Sequence, residues 1–214
     1  FIYDGARDAF YFLEVNTRLQ VEHPITEEVT GLDLVEWMVR IAAGEPPSFD
    51  DLPEPKGAAM EVRVYAENPV RGFQPAPGVL TDVQFPEGVR VDTWVQTGTE
   101  VSANYDPMIA KVIAYGEDRE EARAMLSEML EDSAIWPVKT NSAFLIAALD
   151  HPDFVAGTVD TGLIGRDGDV LAQPPVPADA ALECAAQALV PRSDAPGFRL
   201  NAAPRLRARL SARL

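Results

Sequence analysis

The sequence predicts an α+β fold, a mainly antiparallel sheet with helices packed on it and a shorter terminal element after it. Three observations carry this. Apolar residues alternate with a period of two from Met60 onward, in short runs near 78–85, 89–95 and 108–115, each bounded by Gly or Pro. The period then becomes helical over 117–132 and 141–149. Strands therefore precede helices instead of alternating with them, which is the order of an α+β unit and not of a parallel α/β sheet.

The bulk numbers narrow the class. The 214 residues suffice for one good core or two small ones, and 47% are hydrophobic, as in an ordinary globular protein. No run of about 18 apolar residues is present, which argues against a membrane span, and nothing at the start reads as a signal peptide. A formal net charge of −16 opposes the basic stripe that a nucleic-acid groove requires. The single cysteine, Cys184, can form no internal disulfide, which fits a reducing compartment and a cytoplasmic location. His23 and His151, the two histidines, are too far apart in sequence to suggest a zinc site.

Element by element, Phe1–Tyr3 and Phe10–Asn16 read as a hairpin with Asp4-Gly5 as the turn signal. Because the chain opens in a strand, it is expected to be a fragment of something longer. The run Phe10-Tyr11-Phe12-Leu13 is apolar on both faces, so this strand is expected to be buried on both sides. Pro24 then breaks any ladder. Thr30-Gly31-Leu32-Asp33 resembles a capping arrangement ahead of a helix through Leu34, Val35, Met38, Val39, Ile41 and Ala42, which Gly44 and Pro46 stop. Residues 45–58 form a Pro- and Asp-rich loop. The helix over 117–132 is apolar at Ala122, Met125, Leu126 and Met129, and that over 141–149 has Thr140 or Asn141 as its cap. Residues 166–179, rich in Gly, Asp and Pro, read as a linker. A helix follows over about 179–190, and the alternating Arg205, Arg207 and Arg209 predict one terminal strand.

The chemistry concentrates in "LEVNTRLQVEH", where Glu14, Asn16, Arg18, Gln20 and Glu22 recur at a spacing of two. On a strand these side chains share one face. A solvated face with cross-strand ion pairs would produce such a row. So would a site. A carboxylate and an amide oxygen two residues apart can both reach a hard cation, and Mg²⁺ is commonly held by one or two carboxylates plus substrate phosphates. Arg18 offers a planar fork for a small oxyanion, Gln20 a further donor, and Glu22 an acceptor for a proton. Asn is a poor strand former, and the row emerges from an apolar strand where a buried charge needs a partner or a metal, which favours the site. Arg63, by pattern alone, is an outward-facing strand residue. His23 reads as a local hydrogen-bonding residue, His151 as a helix-end residue, Cys184 as a small packed side chain, and Trp37, Trp94 and Trp136 as core or interface.

"FLEVNTRLQVEHPITEEVTGLDLVEW" closely resembles the end of the ATP-grasp region of biotin carboxylases, and the likeness continues through "EVRVYAENP", "GFQPAPGVLTDVQFP", "YDPMIAKVIAYGEDREEA" and "KTNSAFL". It covers roughly residues 1–165. It implies the end of an ATP-grasp domain over 1–45, a biotin carboxylase C-terminal domain over 46–165, and over 166–214 a linker helix with the first strand of a truncated subunit-interaction domain. It also implies roles. Glu14 and Asn16 would hold the Mg²⁺ (or Mn²⁺) that bridges ATP phosphates. Arg18, with Gln20 and the backbone of Val21, would hold bicarbonate. Glu22 would take the bicarbonate proton, and Arg63 would stabilise the biotin enolate.

The implied reaction is the ATP- and bicarbonate-dependent carboxylation of biotin through carboxyphosphate. The Gly-rich lid and phosphate-holding lysines of the family have no counterpart in the sequence, nor does a Met-Lys-Met type attachment motif. Biotin is therefore expected on another segment or chain, and the chain by itself is expected to be inactive. The implied partners are bicarbonate, a biotinylated carrier domain, a carboxyltransferase β subunit and a second copy in a homo-oligomer. "GFRLNAAPRLRARL" resembles the joining segment of acyl-CoA carboxylase α chains of the methylcrotonyl, propionyl or acetyl type, whereas "VRVDTWV" is similar to urea carboxylases. The order of linker and tail favours the acyl-CoA type. A folded assembly or dimerisation module with an inert polar row is the reading from outside catalysis.

Overall fold

A computed structural model describes residues 1–189. Residues 1–173 form one compact unit, and the described residues from 174 to 189 belong to a second. The mixed architecture is the one expected: short antiparallel strands with helices packed on them.

The first unit opens with an antiparallel hairpin, β1 (Ile2–Asp4) and β2 (Ala9–Tyr11). Asp4 starts the turn, its side chain accepting from the Ala6 N–H and its carbonyl from the Arg7 N–H. The positive φ falls on Asp8 at 48° and not on Gly5. Two expectations fail here. The second strand ends at Tyr11 and does not run on to Asn16, and Phe10, Tyr11, Phe12 and Leu13 are all exposed. The reason is topological: the hairpin is a two-stranded sheet of its own, so no third strand or covering sheet encloses its faces. Phe1 packs edge-on against Phe10 and Phe12 at centroid distances of 5.8 and 5.6 Å.

Two helices follow. α1 (His23–Thr30) carries Pro24 in its first turn, where a missing N–H costs nothing, and ends on Gly31 in the left-handed conformation at φ 73°. That Pro-to-Gly frame was visible in the sequence, but Pro24 read there as a strand breaker. α2 (Leu34–Ala42) is capped by Asp33, whose carboxylate accepts from the Glu36 N–H at 2.7 Å. The cap is thus Asp33 itself and not Thr30, because Thr30 is already the last residue of α1.

The central sheet has the order β3 (Ala58–Tyr65), β10 (Met108–Gly116), β8 (Arg90–Thr93), all antiparallel. The short strands β4 (Glu67–Asn68) and β5 (Gln74–Pro75) pair with each other, as do β6 (Gly78–Val79) with β9 (Glu100–Val101), and β7 (Asp82–Gln84) with β11 (Ala134–Trp136). In the central sheet Val62 faces Val112 and Val64 faces Ala110 across the β3–β10 pair. These residues lie in the core with Leu126, Met129 and Leu130 of α3 (Arg119–Glu131). Burying a Leu or Val side chain there contributes roughly 1.5–3 kcal/mol. Gly116 allows the strand to meet the start of α3, since a Cβ on it would lie 2.6 Å from the Ala122 nitrogen.

α4 (Ser142–Leu149), the four-residue α5 (Pro152–Val155) and α6 (Leu163–Leu171) complete the unit. Asn141 precedes α4 but does not cap it with its side chain, which is spent on β3. His151 caps α5, its Nδ1 accepting from the Asp153 N–H at 3.2 Å. The linker expected over 166–179 is corrected in its first part: α6 runs to Leu171 because Leu163 and Leu171 are buried with Phe144, and that burial outweighs the two glycines inside the helix, while residues 174–178 form no helix or strand. Trp94 and Trp136 are exposed and so lie outside the core, while Trp37 packs edge-on against Phe49. In the second unit, α7 (Asp179–Leu189) occupies the helix expected there, with Cys184 exposed and not packed. The strand expected from Arg205 to Arg209 lies outside the described residues.

Candidate functional site

The face of the central sheet opposite α3 is polar, and it is where the conspicuous residues gather. Register places Arg63 of β3, Lys111 of β10 and Asp92 of β8 on one rung, and Glu61, Ile113 and Arg90 on the next. All six have odd or even positions that put them on the face away from Val62, Val64 and Val112. α1 covers part of this face.

The contacts form a continuous network. Arg90 donates to Glu27 at 2.6 Å, to Glu28 at 3.1 Å and to Asp92 at 3.3 Å. Lys111 Nζ lies 2.9 Å from Asp92 Oδ2 and donates to the Val21 carbonyl at 3.2 Å. His23 Nδ1 stands 2.7 Å from the Gln20 carbonyl, so it carries the proton of that hydrogen bond. Its Nε2 is 4.0 Å from Glu27. The loop 20–22 is thus tied to the sheet through Lys111 and to α1 through His23.

Glu22 occupies the residue just before α1, and its Oε2 accepts from Arg63 Nη2 at 3.0 Å. Both side chains are about half-exposed, so the pair adds little stability. Its interest is chemical: an acceptor and a guanidinium from 41 residues away meet on the exposed part of the polar face.

Charge on this face is strongly perturbed. Burial pushes the Glu61 carboxyl above the usual carboxylate range, against the pull of Lys111, Arg63 and His23, with Asp92 adding to the rise. Its side chain is 4% exposed, Oε1 is 4.0 Å from Arg63 Nε, and Oε2 has no hydrogen-bond partner among the described residues. For Asp92, burial works upward, but the hydrogen bonds and charges of Lys111 and Arg90 outweigh it and lower the pKa. Burial works downward on Arg90, and the bonds to Glu27, Asp92 and Glu28 more than reverse it.

The row from Glu14 to Glu22 does not behave as one strand face. Residues 12–20 pair with no strand. Val21 and Glu22 meet the sheet, through Lys111 and Arg63, and Gln20 meets His23 of α1. Gln20 Nε2 is a buried donor without a partner among the described residues. Glu14, Asn16 and Arg18 are exposed, and no contact joins them to Arg63 or Glu22. Arg18 reaches only the Leu19 carbonyl, at 3.4 Å, and lines a shallow groove with Thr17, Leu34 and Trp37. No hydrogen bond engages Glu14 or Asn16 among the described residues, and no group of three or more His, Cys, Asp or Glu suited to a metal occurs there. An unengaged carboxylate and amide oxygen still fit Mg²⁺ in donor type, since that ion draws its remaining ligands from phosphates and water.

The residues that sequence reasoning missed are Glu61, Arg90, Asp92 and Lys111. Lys111 had a signal. It is the single charge in the apolar run "MIAKVIAYG", and a lysine buried in a strand needs a partner.

Comparison with known proteins accords with this layout. Residues 61–166 match the biotin carboxylase C-terminal domain, and residues 1–48 match the carbamoyl-phosphate synthase L chain ATP-binding domain. The urea amidolyase of Saccharomyces cerevisiae is 53% identical over 165 residues, 77% of this chain and 9% of that protein. The mitochondrial methylcrotonoyl-CoA carboxylase subunit alpha of Dictyostelium discoideum is 40% identical over 217 residues, 92% of this chain and 31% of that protein. The biotin carboxylase domain dimer of Hydrogenobacter thermophilus 2-oxoglutarate carboxylase, solved with MgADP, ADP and bicarbonate, is 36% identical with a TM-score of 0.74, covering 79% of this chain and 38% of that one. The chain therefore spans from under a tenth to somewhat over a third of these relatives. Through residues 1–48 and 61–166, the chain belongs to the biotin carboxylase family.

Proposed function

We propose that the chain is the C-terminal part of a biotin carboxylase component, working in the ATP- and bicarbonate-dependent carboxylation of biotin as part of an acyl-CoA carboxylase. The observation that carries this reading is the 3.0 Å contact of Arg63 with Glu22, which sets a proton acceptor beside a fixed cation where both are open to solvent.

In this reading Arg18, Gln20 and the Val21 backbone hold bicarbonate beside Glu22. The unpartnered Gln20 amide supports this, because a buried donor without a partner is costly unless a ligand supplies one. As a bicarbonate oxygen bonds to the γ-phosphorus of ATP, the bond to the ADP oxygen breaks and the bicarbonate proton passes to Glu22. The products are ADP and carboxyphosphate, which splits into CO₂ and phosphate. The released phosphate takes the ureido N–H proton of biotin, and the nitrogen then adds to the CO₂, with the Arg63 guanidinium facing the negative charge on the ureido oxygen. Glu14 and Asn16 would hold Mg²⁺, which neutralises phosphate charge when bound.

The acyl-CoA assignment is supported by the Dictyostelium match, whose 92% coverage must include part of the segment after residue 166. The urea amidolyase match covers 77%. A urea carboxylase is nevertheless the second reading, on the strength of 53% identity over the shared part. Biotin would arrive on a carrier domain elsewhere, and a carboxyltransferase subunit would use the product. The exposed Phe1, Phe10, Phe12, Leu13 and Val15 mark a surface where the rest of such an enzyme, or a second copy, would pack.

The test is made in the complete carboxylase carrying this sequence. Glu22→Gln and Arg63→Ala should each abolish biotin carboxylation and leave the thermal midpoint nearly unchanged. Near-normal turnover in either variant overturns the assigned roles. Bicarbonate-dependent phosphate release by the 214-residue chain alone would overturn the reading of it as an incomplete catalytic unit.

A further inference from the structure

We infer that Lys111 is a positioning residue for the bicarbonate-handling loop, fixing the peptide from which Glu22 projects. The inference rests on the roles proposed above for Gln20, Val21 and Glu22. Three observations carry it. Lys111 is 9% exposed and sits mid-strand in β10, so its ammonium is available only to what surrounds it. It donates to the Val21 carbonyl, 90 residues back in the chain, at 3.2 Å. It is itself fixed from the other side by Asp92 at 2.9 Å.

The geometry has a consequence for Glu22. The Val21 carbonyl belongs to the peptide plane that joins Val21 to Glu22, so Lys111 restrains the backbone end of Glu22. Arg63 restrains its carboxylate end at 3.0 Å. Arg63 and Lys111 are cross-strand partners on one rung of the sheet. A single rung thereby holds both ends of the proposed base, and the rigid sheet fixes their separation. Residues 12–20 lack strand pairing, and the other ties of residues 20–22, His23 to the Gln20 carbonyl and the Ile25 N–H to the Glu22 carbonyl, come from α1, so Lys111 and Arg63 are the links to the sheet itself.

The Asp92–Lys111 pair also belongs to the charge network that fastens α1 through Arg90, and a purely structural role would end there. The two roles differ in what they move. Loss of a buried ion pair shifts the melting point and leaves substrate constants alone at temperatures well below it. Loss of positioning moves the bicarbonate constants selectively.

Carboxylation of free biotin by the complete carboxylase is followed by ADP release, with bicarbonate and ATP varied in turn. Lys111→Met is expected to lower kcat/KM for bicarbonate by about 10²-fold, with the KM for ATP within about twofold of wild type. A bicarbonate kcat/KM within about threefold of wild type overturns the inference, as does an equal fall for ATP, which marks general distortion. Should Lys111→Met fail to fold, Lys111→Arg decides. Its longer planar fork keeps the charge but crowds the carbonyl, so a fall of about tenfold for bicarbonate at an unaltered melting point is expected, and parity with wild type overturns the inference. Glu22→Gln in parallel separates the two levels. If it stays active, the base assignment falls and this inference with it. If it is inactive while Lys111→Met matches wild type, this inference alone falls.

Discussion

Arg90 on β8 and Glu27 on α1 meet at 2.6 Å, and through that contact the helix that begins just after Glu22 is fastened to the sheet that carries Arg63. The carboxylate of Glu27 is 9% exposed, whereas the guanidinium is 30% exposed and serves Glu28 and Asp92 as well. The asymmetry sets the cost of breaking it.

Arg90→Ala leaves the buried Glu27 carboxylate with no fixed cation: it keeps the Leu34 N–H at 2.8 Å and has His23 at 4.0 Å. The expected loss is about 3 kcal/mol, the low end for a broken buried pair because Arg90 is partly solvated. Urea denaturation measures it. Arg90→Lys should recover part of the loss, since an ammonium cannot serve three carboxylates as the fork does. A change below about 0.5 kcal/mol for Arg90→Ala would show that the contact is not a clamp.

Asn141 reaches from the start of α4 to β3, donating to the Arg63 carbonyl at 3.2 Å and accepting from the Tyr65 N–H at 2.9 Å. Its replacement by Ala strands both backbone groups in a site where Asn141 is 6% exposed. A loss of about 2–3 kcal/mol is expected by thermal or chemical denaturation. Asn141→Asp keeps the acceptor but sets a carboxylate oxygen against the Arg63 carbonyl, so it should recover little. Full stability in Asn141→Asp would contradict the assigned orientation of the amide.

Glu61 gives a pH-dependent prediction. Burial raises its carboxyl pKa above 4.5 in the folded protein. Between 4.5 and the raised value the folded state holds a proton that the unfolded state has lost, so this group's contribution to stability falls as pH rises through that window. Glu61→Gln stays neutral and removes the dependence. Relative to wild type, the variant should gain stability from pH 4.5 up to the raised value and hold a constant difference above it, which denaturation curves at several pH values measure. A difference between the two proteins that is independent of pH would contradict the raised pKa.

Glu14→Gln tests the proposed metal ligand. In the complete carboxylase it should raise the Mg²⁺ concentration needed for half-maximal rate by about tenfold or more, with the bicarbonate KM little changed, because one charged oxygen is lost from the ion and none from the anion. An unchanged Mg²⁺ requirement assigns Glu14 elsewhere.

Much of the scaffold was legible from periodicity. Met60, Val62 and Val64 declared the buried face of β3, and Ala122, Leu126 and Met129 that of α3, because a side chain's direction repeats with the backbone. The failures share one cause. Phe10 to Leu13 read as a doubly buried strand, yet apolar character cannot supply the neighbours that do the burying. Gly168 and its neighbours from 166 on read as linker, yet α6 forms because Leu163 and Leu171 find Phe144. Pro24 does end any ladder, as read, but the helix it opens and Gly31 closes seven positions later was not foreseen.

The candidate site divides in the same way. The sequence by itself determined the residue types, the resemblance of "EVNTRLQVEHP", and the face on which Arg63 stands, since all of these follow from local order and period. Tertiary structure alone decided that Arg63 meets Glu22, that Lys111 grips the Val21 carbonyl, and that Asp92 and Arg90 bind this corner to α1. A strand's period of two gives the side of the sheet but not the segment that will cover it. That choice falls to long-range burial, which brings residues 41 and 90 positions apart together because charges withdrawn from water must find partners in the folded chain.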